Sequence, residues 1–146
     1  MKKTNSNKIA QAHNMNDNAE TIIMNIVRGA GIAGLKGIEP INGKYIRPLI
    51  EVKREVIEEY CLENNLNPRH DESNDDNIYT RNKIRNVVIP YIIKELNPNI
   101  IDTINRLSKI AKDDLEFLDS QTEKAYNTVV SEEKNDVYNG EKKATI

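Results

Sequence analysis

Two carboxylates and a histidine open the chemistry of this chain. In HNMNDNAET, residues 13–21, Asp17 and Glu20 stand three positions apart and His13 precedes them. On a helix that spacing puts both carboxylates on one face. In a first turn, the positive end of the helix dipole favours them. Carboxylates only accept hydrogen bonds and an ammonium only donates, so two converging carboxylates can grip an amine. The same D-x-x-E spacing also suits a capping box, with Asp17 capping the helix, Glu20 completing the box and His13 filling space. Both possibilities stand on spacing alone.

A second stretch, RGAGIAGLKG at residues 28–37, places Gly29, Gly31 and Gly34 in the G-x-G-x-x-G spacing of a dinucleotide loop. That loop works only between a buried strand and a helix N-terminus. Here Ile22, Ile23, Ile26 and Val27 recur at helical spacing before the glycines. The pattern predicts a helix from about Asp17 to Arg28 that ends at Gly29 in a left-handed cap. A tight turn and a short helix near 32–36 follow.

A third group is basic. Arg81, Lys83, Arg85 and Lys94 fall in 79–94 with no acid, a local charge of +4. Arg81 and Arg85 are i and i+4, so one helix face presents both, as a phosphate backbone would require. An ordinary solvated face has the same composition. Residues 113–141 lean the other way, with nine acids against two lysines, a net −7.

The elements that must position these groups follow from pattern. KIAQA at 8–12 reads as a strand edge and KYIRPLI at 44–50 as a strand with Pro48 near its exit. A helix over 52–64 has Val56, Ile57, Tyr60 and Cys61 on its apolar side, with Pro68 beyond its end. Residues 70–77 form a polar loop. Helix resumes over 78–95, where Pro90 is expected to kink it. Asn97-Pro98 reads as an N-cap and first helical residue. A long helix runs from there to about 131, with Ile104, Leu107, Ala111, Leu115, Leu118, Ala125 and Val129 at three- and four-residue steps. The tail, 134–146, is polar and expected to be disordered. Two short strands cannot make a stable sheet, which suggests a piece of something longer.

Composition excludes several classes. The 146 residues carry a net charge of −2, 5% aromatics and no Trp. The lone cysteine, Cys61, permits no internal disulfide or cysteine-based metal site and is expected to be a small buried hydrophobe. No apolar run reaches membrane-span length, so a cytoplasmic location is expected.

Taken in order, these stretches resemble the tRNA(Ile)-lysidine synthetases of the PP-loop, or N-type ATP pyrophosphatase, superfamily. Residues 13–21 are similar to that family's H-x-x-D-D-x-x-E-T motif, and 28–35 to its R-G-x-G-x-x-G-L. Arg47-Pro48-Leu49 is similar to its R-P-L strand end, Asp71-Glu72-Ser73-Asn74 to its D-P-S-N loop, and 79–85 to its Y-x-R-N-x-I-R helix. Pro90 falls where the family has a proline. Beyond about residue 97 the resemblance is only to a helical linker.

The resemblance implies an α/β fold, the C-terminal part of a PP-loop (Rossmann-like) domain followed by mostly helical segments and a long helix. It divides the chain into 1–76 of the catalytic domain, 77–133 as a helical segment facing tRNA, and the tail. It implies an ATP-dependent ligase. ATP, with Mg2+, adenylates the C2 oxygen of the wobble cytidine in an isoleucine tRNA with a CAU anticodon. The ε-amino group of free lysine attacks C2 and expels AMP, and codon reading shifts from AUG to AUA. It also implies that Asp17 and Glu20 grip lysine and form the catalytic set with His13, which either faces the nucleotide or binds nothing, and that Arg81, Lys83 and Arg85 meet tRNA. Gly29, Gly31, Gly34, Asp71 and Asn74 are then structural, since Asp and Asn hold turns through backbone amides. His70 has no counterpart in the family pattern.

There are departures. Asn16 replaces the first Asp of the D-D pair, which would weaken any metal contact there. The family's S-G-G-x-D-S phosphate loop is absent: none of the five serines precedes a glycine, and no two glycines adjoin. The chain is therefore expected to lack an ATP loop, to be an internal fragment without the C-terminal domains, and to be inactive alone. Two other functions remain open: a related PP-loop tRNA-modifying enzyme such as a thiolation enzyme, against which the single cysteine argues, and a non-catalytic helical binding module.

Overall fold

The computed structural model describes residues 5–69, 76, 78–132 and 144–145. They form two compact units, 1–112 and 113–146.

The first unit holds a small sheet, β1 (Ile9–Ala10), β2 (Ile41–Asn42) and β3 (Tyr45–Ile46), in the order β1-β3-β2. β1 pairs parallel with β3, Ile9 opposite Tyr45, and β2 pairs antiparallel with β3, Ile41 opposite Ile46. The expected strand over 44–50 is thus two residues long. β2 joins β3 through the two-residue loop Gly43-Lys44, with Gly43 at φ +56° in the first loop position.

Between β1 and β2 lies α1 (Met15–Val27). Its apolar residues Ala19, Ile22 and Ile23 enter a core completed by Ile84, Ile89, Ile101 and Ile104. Gly29, at φ +79°, closes α1 in the expected left-handed cap. Gly31 caps α2 (Ile32–Leu35), and a Cβ at Gly34 would collide with the Ala30 side chain. No strand leads into these glycines, so they make a helix stop and turn.

The helix α3 (Arg54–Glu63) lies within the expected 52–64 but is shorter and less buried than expected. Val56 and Tyr60 are more than half exposed, and only Ile57 and Cys61 of the four are partly covered. The expected loop residues His70, Asp71 and Asn74 lie outside the described residues.

The 78–95 helix is not uniform. α4 (Thr80–Lys83) passes into a π-helical turn at Ile84–Val88 and then α5 (Ile89–Glu95). The Ile89 N–H reaches back five residues to the Ile84 carbonyl. Pro90 has no N–H and its ring crowds the carbonyl four residues back. A widened turn is one way a helix accommodates that.

The helix α6 (Ile100–Val129) starts two residues later than Pro98 suggests. Asn97 instead shapes the preceding turn, its side chain accepting the Asn99 N–H at 2.9 Å. Ile101, Ile104, Asn105, Ser108 and Ala111 are buried. Leu107, Leu118 and Val129, expected on the apolar side, are 40%, 50% and 59% exposed. In the second unit β4 (Ser131–Glu132) pairs antiparallel with β5 (Ala144–Thr145). The rest of the expected disordered tail lies outside the described residues.

Candidate functional site

Local sequence sets the start of α1. Asn14, in extended conformation, is the N-cap: its Oδ1 accepts the N–H groups of Asn16 and Asp17, both at 3.0 Å. Asp17 Oδ2 returns the bond by accepting the Asn14 N–H at 3.0 Å. The capping box is therefore Asn14 with Asp17, and not Asp17 with Glu20. This frees Glu20 from any capping role. It sits one turn further on with a side chain only 3% exposed.

A carboxylate that deep must be paired. The partners come from the basic segment. Arg81 on α4 donates through Nε to Glu20 Oε2 at 2.9 Å and through Nη2 to Asp17 Oδ1 at 3.2 Å. Arg85, one turn later, donates through Nε to Glu20 Oε1 at 2.6 Å. Its Nη2 reaches Glu20 Oε2 at 2.8 Å and Asp17 Oδ1 at 3.1 Å. Two carboxylates and two guanidiniums thus close a neutral cluster of four. The Glu20 hydrogen bond holds the Arg85 guanidinium above its ordinary value; burial opposes this, and the charges of Glu20 and Asp17 add to it. Stability from a raised basic group is present below its unfolded value and fades only as pH climbs past the folded one. Arg85 therefore stays charged throughout ordinary conditions.

The two groups singled out separately in the sequence, the Asp17–Glu20 pair and the Arg81–Arg85 pair, are one assembly. Exposure grades across it: Arg81 is 36% exposed, Arg85 23%, Asp17 17%. Arg81 is the outermost member. Lys83, between the arginines, is exposed and makes no ion pair among the described residues.

His13 belongs to a neighbouring arrangement. Its Nδ1 accepts the Nε–H of Arg47 at 3.3 Å, and Arg47 Nη1 donates to the Glu39 carbonyl at 2.6 Å. Asn16 Oδ1 accepts the Arg54 N–H at 3.0 Å, so the residue replacing the motif's first Asp anchors the start of α3. Among the described residues no group of three or more His, Cys, Asp or Glu is placed to hold a metal.

Sequence reasoning missed the polar core. Asn18 Nδ2 donates to Asn105 Oδ1 at 2.8 Å, and Asn18 Oδ1 accepts the Ile38 N–H at 2.6 Å. Asn105 Nδ2 donates to the Met15 carbonyl at 3.1 Å. These bonds tie α1 to the start of α6 and to the loop after Gly37. The signal was present: Asn18 and Asn105 fall on the apolar faces of their helices, where a polar residue must be satisfied.

A three-stranded sheet with one parallel pair, a helix crossing between its strands, and paired acids at the start of that helix define the class. Residues 1–92 match the PP-loop domain family, and the chain belongs to it. Within that class the similarity is to tRNA(Ile)-lysidine synthases. The chain is 45% identical to that of Caldanaerobacter subterraneus subsp. tengcongensis over 129 residues, covering 88% of this chain and 28% of the relative. It is 52% identical to that of Clostridium perfringens over 120 residues, 82% of this chain and 26% of the relative. With that of Bacillus subtilis it shares 34% over 139 residues, 92% of this chain and 29% of the relative. The chain therefore spans under a third of the length of these relatives.

Proposed function

We propose that this chain is the lysine-side portion of a tRNA(Ile)-lysidine synthase. The supporting observation is the convergence of Asp17 and Glu20, from the H-x-x-D-D-x-x-E-T-like stretch, with Arg81 and Arg85, from the Y-x-R-N-x-I-R-like stretch. Two of the motifs that carry the family likeness form one site. In the whole protein ATP adenylates the wobble cytidine at its C2 oxygen and pyrophosphate leaves; the bound lysine ammonium then gives a proton to water, its ε-amine bonds to C2, and AMP leaves with the C2 oxygen. Asp17 and Glu20 hold the lysine as its ammonium, and Arg81, the outermost cation, is the partner it displaces. Residues 1–76 then belong to the catalytic domain, and 77–133 face an isoleucine tRNA with a CAU anticodon. The enzyme works in the cytoplasm, and no helix among the described residues is long and apolar enough to cross a membrane.

A second role is favoured by one specific observation. Each carboxylate oxygen of Asp17 and Glu20 already accepts a bond from within the chain. Such a cluster is also a clamp that fixes the basic helix against α1.

The test is a graft. The matching 120-residue segment of the Clostridium perfringens synthase is replaced by the residues of this chain. Lysine incorporation into a CAU-anticodon isoleucine tRNA is then measured. We expect the graft to be active and the isolated chain to release no AMP from ATP, for want of a Ser-Gly-Gly phosphate loop. A folded graft that binds tRNA and ATP but incorporates no lysine would overturn the proposal.

A further inference from the structure

We infer that Arg47 is a positioning residue that fixes His13 as the neutral tautomer protonated on Nε2, so that the ring offers a hydrogen-bond donor and not a base at its free nitrogen. Arg47 Nε lies 3.3 Å from His13 Nδ1. A guanidinium has donors only, in a fixed planar fork. Nδ1 must therefore be the acceptor, and an imidazole that accepts at Nδ1 carries its one hydrogen on Nε2. Which ring nitrogen is protonated is set by the bond the other one makes.

Arg47 is itself held in place. Its Nη1 donates to the Glu39 carbonyl at 2.6 Å, and its own N–H donates to the Pro40 carbonyl at 2.8 Å across the β2–β3 hairpin. Arg47 is thus held at two points, its backbone and its guanidinium, before it meets the imidazole. Arg47 directly follows β3, and His13 lies three residues beyond β1. They meet at the carboxyl end of the parallel β1–β3 pair, which is where ligands of open α/β sheets bind. Among the described residues Nε2 makes no hydrogen bond. A donor left free at that edge suits an acceptor oxygen on a bound nucleotide; this last step rests on the function proposed above, whereas the tautomer does not.

Long-range proton–nitrogen NMR on the full chain reads the tautomer directly. The chain holds only two histidines, His13 and His70, and H70Q assigns the signals. For His13 we expect one pyridine-like nitrogen at Nδ1 and one protonated nitrogen at Nε2. In Arg47→Met that single pattern should be lost and the two nitrogens should move toward the averaged values of an imidazole exchanging between its tautomers. Arg47→Lys, which keeps a donor, should restore it. Backbone amide spectra verify that each variant is folded, and the wild-type pattern alone decides if Arg47→Met is not. A protonated Nδ1 in the wild type, or an unchanged pattern in folded Arg47→Met, overturns the assignment. Neither result bears on lysine recognition by Asp17 and Glu20, so the two proposals fail separately.

Discussion

Arg85 Nε lies 2.6 Å from Glu20 Oε1, a contact that spans 65 positions of sequence. It joins the start of α1 to the π-helical turn before Pro90. Glu20 is almost fully enclosed, so this contact determines how well the cluster holds together.

Removing one partner of a buried pair strands the other, at a cost on the order of 3 kcal/mol. Arg85→Met should lower stability by about that much, because Arg85 engages both oxygens of Glu20. Arg81→Met should cost roughly 1 kcal/mol, since Arg85 still covers both carboxylates. Adding Glu20→Gln to Arg85→Met should recover part of the loss. Urea unfolding of the four proteins measures this. Equal, small losses for both arginines would show that the cluster stabilises nothing.

The same cluster changes the expectation for RNA. Guanidiniums spent on Asp17 and Glu20 are poorly placed to release counterions from a phosphate backbone. Lys83 is free to do so. Lys83→Ala should reduce the salt slope of RNA binding by about 0.7–0.9, one phosphate contact. Arg81→Ala should have a smaller effect. A slope that falls by roughly two for the double Arg81/Arg85 replacement, with Lys83→Ala silent, would return the contact to the arginines.

At the surface, the Lys109 hydrogen bond holds the Glu51 carboxyl below its ordinary value, and the Lys109 charge adds to this. A depressed acid contributes stability above its unfolded value of 4.5 and loses it as pH falls through the folded one. Both side chains are about two-thirds exposed, so the gain is small, within about 1 kcal/mol. Wild type and Glu51→Gln should differ slightly at pH 7 and converge in acid. A difference that grows as pH falls would mean the sign is wrong.

What was legible in the sequence was local. The period of Ile22, Ile23 and Ile26 and the glycine after Arg28 specify α1 and its stop, because both depend on near neighbours. The cap was misplaced because Asp17 and Asn14 are both good capping residues and spacing does not rank them. β2 was missed although Gly43 opens a two-residue hairpin loop; a two-residue strand has no alternation to detect. The exposed side of α3 shows the limit of apolar patterning, which finds a face but not what covers it. The acid–arginine cluster was read as two sites, since nothing in either segment encodes contact with the other.

Asp17 offers the sharpest separation between gripping a ligand and clamping a helix. Its Oδ2 accepts the Asn14 N–H, and an asparagine oxygen at the same place can accept it too. Asp17→Asn therefore keeps the capping box and removes the charge, with an amide NH2 in place of the Oδ1 acceptor that faces Arg81 and Arg85. If Asp17 and Glu20 hold the lysine ammonium, losing one charged partner costs about 1.5–3 kcal/mol. That is roughly a ten- to hundredfold rise in the lysine KM of the grafted synthase. tRNA adenylation, read as pyrophosphate release without lysine, should continue. A clamp predicts the opposite pair of results: weaker resistance to urea and an unmoved lysine KM. Measuring both in one variant decides between them, because the cap is intact in either case and cannot account for the difference.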